Sequence, residues 1–87
     1  MARYELRFRP SVAKDLCGIP SADVRRILAR IQTLREDPRP PGSEKLSAQE
    51  RYRLRQGDYR ILSNVLDGAV IVEIVKVGHR REVYRDI

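Results

Sequence analysis

The chain has 87 residues, 41% apolar and 34% charged, a balance that suits one small globular domain over residues 1–87 and argues against a disordered tail or two separate cores. No stretch nears the roughly 18 apolar residues of a membrane span, and the opening "MARYELRFRP" has no apolar h-region, so no signal or transit peptide is expected and the cytoplasm is the default address. Eighteen basic against 12 acidic side chains give a net charge of +6; only Lys14, Lys45 and Lys76 are lysine, so the other 15 are arginine, whose planar fork grips phosphate at two points.

Residues 4–8 read as a short strand, with Tyr4, Leu6 and Phe8 on one face and Glu5 and Arg7 on the other. Pro10 is expected to end it, Ser11 to cap a short helix over residues 12–17, and Gly18 with Pro20 to close that helix. Cys17 stands alone in an apolar context, which excludes an internal disulfide and predicts a buried, inert thiol. Ser21 is the next expected cap. Behind it Val24, Ile27, Leu28, Ile31 and Leu34 draw one apolar stripe on a helix of about four turns, with Arg25, Arg26, Arg30 and Arg35 on the other face. The two segments form a helical hairpin that covers one side of a sheet. "EDPRPPGS", residues 36–43, cannot continue a helix and is the only long linker.

From there the period switches to two, which predicts a run of antiparallel strands. Residues 51–55 form one strand, Gln56, Gly57 and Asp58 supply turn chemistry, and residues 59–66 run back. Asp67-Gly68 is a strong hairpin signal, and residues 69–77, apolar except near Glu73 and Lys76, form a strand inside the sheet. The alternation at Val83 predicts a short final strand. The expected fold is therefore α+β: an N-terminal strand, a helical hairpin, then an antiparallel meander of three to four strands, with the helices on one sheet face.

If Tyr52 and Leu54 point toward the helices, the pleat turns Arg51, Arg53 and Arg55 to the open face, where Arg60 on the neighbouring strand can join them. Like charges packed on one strand pair destabilise it. A polyanion such as an RNA or DNA backbone would complete the arrangement, with Glu44, Glu50 and Asp58 as the partial neutralisers in the sequence.

"RYRLRQGDYRI" followed by "IVEIVKVGHRREVY" resembles the RelE family of the RelE/ParE superfamily of type II toxins. The resemblance runs from "YELRFRPSVAKDL" to Tyr84, and the elements "LRxGxYRI" and "VGHRxEVY" are specific in combination. It implies a toxin that enters the ribosomal A site and cuts mRNA without a metal or other cofactor, and that is held inactive by a co-produced RelB-like antitoxin covering the arginine face. The implied chemistry is attack by the ribose 2′-oxygen on the adjacent phosphorus, leaving a 2′,3′-cyclic phosphate. Carried over by motif position, the basic residues before the turn fall on Arg51, Arg53 and Arg55, the arginine of the next strand on Arg60, the late arginine on Arg80 and the terminal tyrosine on Tyr84.

The chain departs from that pattern where Arg51 and Arg53 stand in place of lysines, and at "ILSN", residues 61–64, where relatives often carry an aromatic. Deprotonating an arginine at pH 7 costs on the order of 7 kcal/mol, against about 4 for a tyrosine and almost nothing for a histidine. Proton acceptance is then expected of Tyr84 by family position or of His79 by acidity. Arg60 and Arg80 become the clamps on the scissile phosphate and Arg51 and Arg55 the holders of the RNA backbone. Arg53 occupies a place where the lysine of that pattern could accept a proton and an arginine cannot easily do so. The alternatives are a gyrase-poisoning toxin of the ParE type with the same fold, and a catalytically silent relative that only binds.

Overall fold

The structure, a computed structural model, describes residues 3–46 and 50–79. Its elements are β1 (Glu5–Phe8), α1 (Pro10–Cys17), α2 (Ser21–Thr33), β2 (Glu44–Leu46), β3 (Arg51–Gln56), β4 (Tyr59–Leu66) and β5 (Ile71–His79). The sheet order is β1-β5-β4-β3-β2. Strands β2 to β5 form an antiparallel meander, and β1, separated from it by the helices, adds to β5 in parallel. The short β2 was not expected, because three residues carry no readable period. The expected strand at Val83 lies outside the described residues.

Both helix starts differ from expectation. Pro10 does not precede the cap but occupies the first turn of α1, with Arg9 at the N-cap, because its fixed φ and missing N–H suit that position. Ser21 lies inside α2 and Pro20 takes the cap, without a side-chain hydrogen bond. Cys17 is exposed rather than buried: Val12 and Leu16 of α1 face the core, which leaves Cys17 on the outer side of the last turn.

The helices pack on one sheet face around Val12, Ile27, Ile31, Leu34, Leu54, Ile61, Val72, Ile74 and Val77, all at most 2% exposed. Each such aliphatic contributes about 1.5–3 kcal/mol by leaving water. The stripe on α2 is narrower than its sequence suggests, since Leu28 is 36% exposed. On β1, Tyr4 and Leu6 pack against this core while Phe8, at the end of an edge strand, stays 44% exposed. A small second cluster, Leu62 and Val75 with Leu46 against them, lies separately. It coincides with a bulge in β5: Leu62 pairs with Lys76 and Ser63 with Ile74, so Val75 has no partner of its own.

Two contacts substitute for strand pairing where β1 runs out at Phe8, opposite Ile74. The Arg9 N–H donates to the Ile74 carbonyl at 3.0 Å. The Val77 N–H donates to Asp15 Oδ2 on α1 at 3.2 Å, and Lys76 Nζ lies 3.7 Å from the same carboxylate.

The long linker is pinned by Arg39. Its guanidinium donates to Asp67 at 2.8 Å, Tyr52 Oη at 2.8 Å and Glu50 at 3.1 Å, and sits 5.1 Å from the centre of the Tyr52 ring. Tyr4 Oη donates to Asp67 at 2.7 Å. Hydrogen bonds from Arg39 first, then Tyr4, hold the Asp67 carboxyl below its ordinary pKa; those from Arg39, Tyr52 and Lys45 do the same for Glu50. The hydrogen bond to Asp67 raises the Tyr4 phenol. This engagement of Asp67 accompanies a different β4–β5 turn from the tight Asp67-Gly68 hairpin expected. Residues 67–70 form the turn, β5 starts at Ile71, and Val70 is held at φ 56. The Glu5 N–H donates to the Val70 carbonyl at 2.9 Å, so pairing with β1 fixes that residue.

Candidate functional site: an arginine pocket at the β3 edge

Residues opposed across an antiparallel ladder share a face. Leu54, Ile61 and Val77 are opposed in series and sit in the helix-side core. The alternate pairs, Arg51 with Asn64, Arg53 with Leu62 and Arg55 with Arg60, therefore occupy the other face, as the alternation predicts.

Each arginine of the row is handled differently. Arg51 Nε donates to Asn64 Oδ1 at 3.0 Å, Asn64 Nδ2 to Glu73 Oε1 at 3.0 Å, and Arg9 reaches the same carboxylate at 3.3 Å. The Asn64 bond, with Arg9 beside it, holds the Glu73 carboxyl below its usual range. Arg53, with a side chain 19% exposed, forms an ion pair with Glu44, directly opposite it on β2. Arg55 is exposed. Arg60 is 8% exposed and folds its Nη1 back onto the carbonyls of Tyr59 and Gly57, at 3.0 and 3.3 Å. Among the described residues only that nitrogen of Arg60 finds a hydrogen-bond acceptor. The turn that supplies one of those carbonyls depends on Gly57, whose φ of 59 is the left-handed value that favours glycine at the first position of a two-residue hairpin.

Among the described residues, only strand β2 pairs with the outer side of β3, at Arg51 to Arg53, and it leaves the edge beyond open. A pocket of about 530 Å³ lies there, lined by Arg53 and Arg55 of β3, Arg60 of β4, Arg30 of α2 and Glu44 of β2, with Gly42 and Leu54 between them. Four guanidinium groups against one carboxylate make this a site for an anion larger than a single phosphate. Arg51 lines another part of the face. Arg30 and Glu44 were not expected at the site. Arg30 reads as one more solvated helix residue and Glu44 as a stray neutralising charge; only the packing of α2 and β2 beside β3 brings them in.

His79 is placed elsewhere. It opposes Tyr59 in the ladder, and the two rings meet edge to face with centroids 5.9 Å apart. Tyr59 packs against the helix-side core, and His79 shares its pocket with Asp23, Arg26 and Ile27 of α2, so the sheet separates it from Arg53 and Arg55. Arg80 and Tyr84 lie outside the described residues. Among the described residues, no group of three or more His, Cys, Asp or Glu side chains is placed to hold a metal ion, and no helix is long and apolar enough to cross a membrane.

The fold is that of solved RelE toxins. The chain is similar to the toxin–antitoxin structure of archaeal RelE–RelB from Pyrococcus horikoshii OT3, with 28% identity over 92% of this chain and 97% of that one and a TM-score of 0.78. It is similar to an arginine-to-alanine double mutant of Escherichia coli RelE in complex with an antitoxin RelB peptide, with 27% identity, coverage of 99% and 94% and a TM-score of 0.76. It is similar too to the RelBE2 toxin–antitoxin complex of Mycobacterium tuberculosis, with 28% identity, coverage of 90% and 99% and a TM-score of 0.68. No curated protein sequence gives a significant match. The sequence model of the family described as "ParE toxin of type II toxin-antitoxin system, parDE" matches residues 6–84. The chain belongs to the RelE/ParE family of type II toxins.

Proposed function

We propose that this toxin is a ribosome-dependent mRNA endonuclease that works in the A site by metal-independent attack of a ribose 2′-oxygen on the neighbouring phosphorus. The observation that carries the reading is Arg60: a guanidinium 8% exposed, facing a pocket with Arg30, Arg53 and Arg55, with donors to spare for an anion. A fixed, partly dehydrated cation acts most strongly where negative charge develops, as on the equatorial oxygens of a phosphorane. Arg60 and Arg80 clamp the scissile phosphate, Arg51 and Arg55 hold the flanking backbone, Arg53 lines the pocket, and Tyr84 stacks on a base. The wide basic pocket also supports a RelB-like antitoxin as the resting partner, since the similar solved toxins include RelE–RelB complexes.

Purified protein added to ribosomes programmed with a defined mRNA is expected to leave a cut at a fixed position in the A-site codon. Arg80→Ala should lower that rate by on the order of 10² to 10³. No cut, or undiminished cutting by the variant, would end this reading. The ParE description of the matching family model favours a second reading, a toxin that poisons DNA gyrase and cuts no RNA. Gyrase-linked DNA breaks with intact mRNA on expression would establish it instead.

A further inference from the structure

We propose that Asn64 is a positioning residue: its amide, set between Glu73 and Arg51, fixes the Arg51 guanidinium for contact with an RNA phosphate. The inference rests on the reading of the arginine face as the surface that holds RNA. Arg51, Asn64 and Glu73 are opposed in series across β3, β4 and β5, so they lie side by side on the face without helices. Each of the three is half-buried. Arg51 Nε donates to Asn64 Oδ1 and Asn64 Nδ2 donates to Glu73 Oε1, both at 3.0 Å.

A guanidinium only donates and an ionised carboxylate only accepts. Glu73 is ionised at neutral pH, since hydrogen bonds from Asn64 first, then Arg9, hold its carboxyl below the ordinary value. The side chain between them must therefore accept on one side and donate on the other. A primary amide does both, and in one orientation only, because the flipped amide would set N–H against N–H and oxygen against oxygen. The far end of the row is anchored. Arg9, at the N-cap of α1, reaches Glu73 Oε1 at 3.3 Å, and Arg7, opposite Glu73 on β1, is paired with Glu5. Glu73 thus has an ion-pair partner without Asn64; what Asn64 adds is the link to Arg51.

The near end of the row is where a ligand can enter. Among the described residues Arg51 uses only its Nε, so both Nη groups remain to donate, and that end of the fork spans two oxygens of one phosphate. A long side chain that must be ordered on binding lowers affinity; here folding has already ordered it. Arg51 stands outside the arginine pocket on the same face, so the contact it makes is with backbone next to the phosphate held there.

The test measures binding of a short labelled single-stranded RNA to the full chain by fluorescence anisotropy. Arg51→Ala, Asn64→Leu, the double variant and Asn64→Asp are compared with wild type, each checked for folding by circular dichroism. Asn64→Leu, close in size to the amide, should weaken binding about twofold to tenfold, the cost of ordering one long side chain. Arg51→Ala should weaken it at least as much and lower the log–log salt slope by about 0.7. In the Arg51→Ala background Asn64→Leu should change nothing further, because it acts only through Arg51. Asn64→Asp sets a second carboxylate against Glu73, so it should bind more weakly than wild type at about pH 8. Near about pH 5 a proton shared by the two carboxyls restores a donor toward Glu73 and an acceptor toward Arg51, and the gap to wild type should close. Should Asn64→Leu fail to fold, this closing of the gap decides. Additive losses in the double variant, Asn64→Leu binding as wild type does, or an Asn64→Asp gap that is constant with pH would overturn the proposal. Undiminished binding by Arg51→Ala would overturn it together with the holding role of Arg51. The expected binding pattern in a protein that leaves programmed mRNA uncut would uphold this inference and end the RNA-cleaving reading alone.

Discussion

Asp15 offers the sharpest check on how the sheet is held to the helices. Strand β5 loses its β1 neighbour after Ile74, and three residues on, the Val77 N–H faces no strand among the described residues. Asp15 Oδ2 accepts that bond at 3.2 Å, with a side chain 19% exposed, and Val77 is 1% exposed. Asp15→Ala removes the acceptor and leaves a buried N–H unpaired, which costs about 1–3 kcal/mol. The loss of the Lys76 contact adds little, since that pair is at 3.7 Å. With about 2 kcal/mol lost, a domain of this size should melt roughly 8–16 °C lower. Asp15→Asn keeps an acceptor oxygen at the same reach and should lose about half as much or less. Urea unfolding followed by circular dichroism, with equal slopes for the three proteins, gives the numbers. An Asp15→Ala protein as stable as wild type would refute the idea that α1 substitutes here for a missing strand.

Val70 is a β-branched residue at φ 56, a conformation that costs about 1–2 kcal/mol, so Val70→Gly should be neutral or up to about 1 kcal/mol stabilising in urea despite the entropy that glycine loses; a clear loss of stability would show that its side chain matters more than its backbone. Asp67 and Glu50 have folded-state pKa values held below their ordinary ones by Arg39, so their contribution is present above the unfolded values and is lost as pH falls through the folded ones. Wild type should therefore lose stability more steeply below about pH 4 than Arg39→Gln does, and parallel stability curves would remove the Arg39 cluster as the cause. Binding of a single-stranded RNA probe should weaken with salt at a log–log slope of about −3 if the four pocket arginines each meet a phosphate, and Arg55→Ala should reduce that slope by about 0.7. A slope that does not change on titrating the probe against this variant would place the RNA on another surface.

Periodicity carried much of the fold. The period-two segments at residues 51–66 and the stripe at Ile27, Ile31 and Leu34 are dictated by the need to bury one face, so they are readable without coordinates. What local pattern could not give were the features set by a distant partner. Strand β2 is three residues long and exists because β3 offers an edge. Asp67 and Arg39, 28 positions apart, meet where the sequence suggested only a tight hairpin. Proline at a helix start is a known preference, yet the residue at the cap depends on where β1 releases the chain.

The candidate site divides in the same way. Alternation alone, a property of the strand backbone, put Arg51, Arg53 and Arg55 on one face, which Arg60 could join; that Arg60 stands opposite Arg55 is set by the register of the β3–β4 hairpin. Tertiary packing decided which of them matter together. It brought Arg30 from α2 and Glu44 from β2 to the uncovered edge of β3, buried Arg60 beneath the hairpin turn, tied Arg51 through Asn64 to Glu73, and put His79 on the far side of the sheet. The physical reason is the range of the two effects: a side chain's face follows from its immediate neighbours in the chain, but its charge environment is made by residues that only folding brings within a few ångströms.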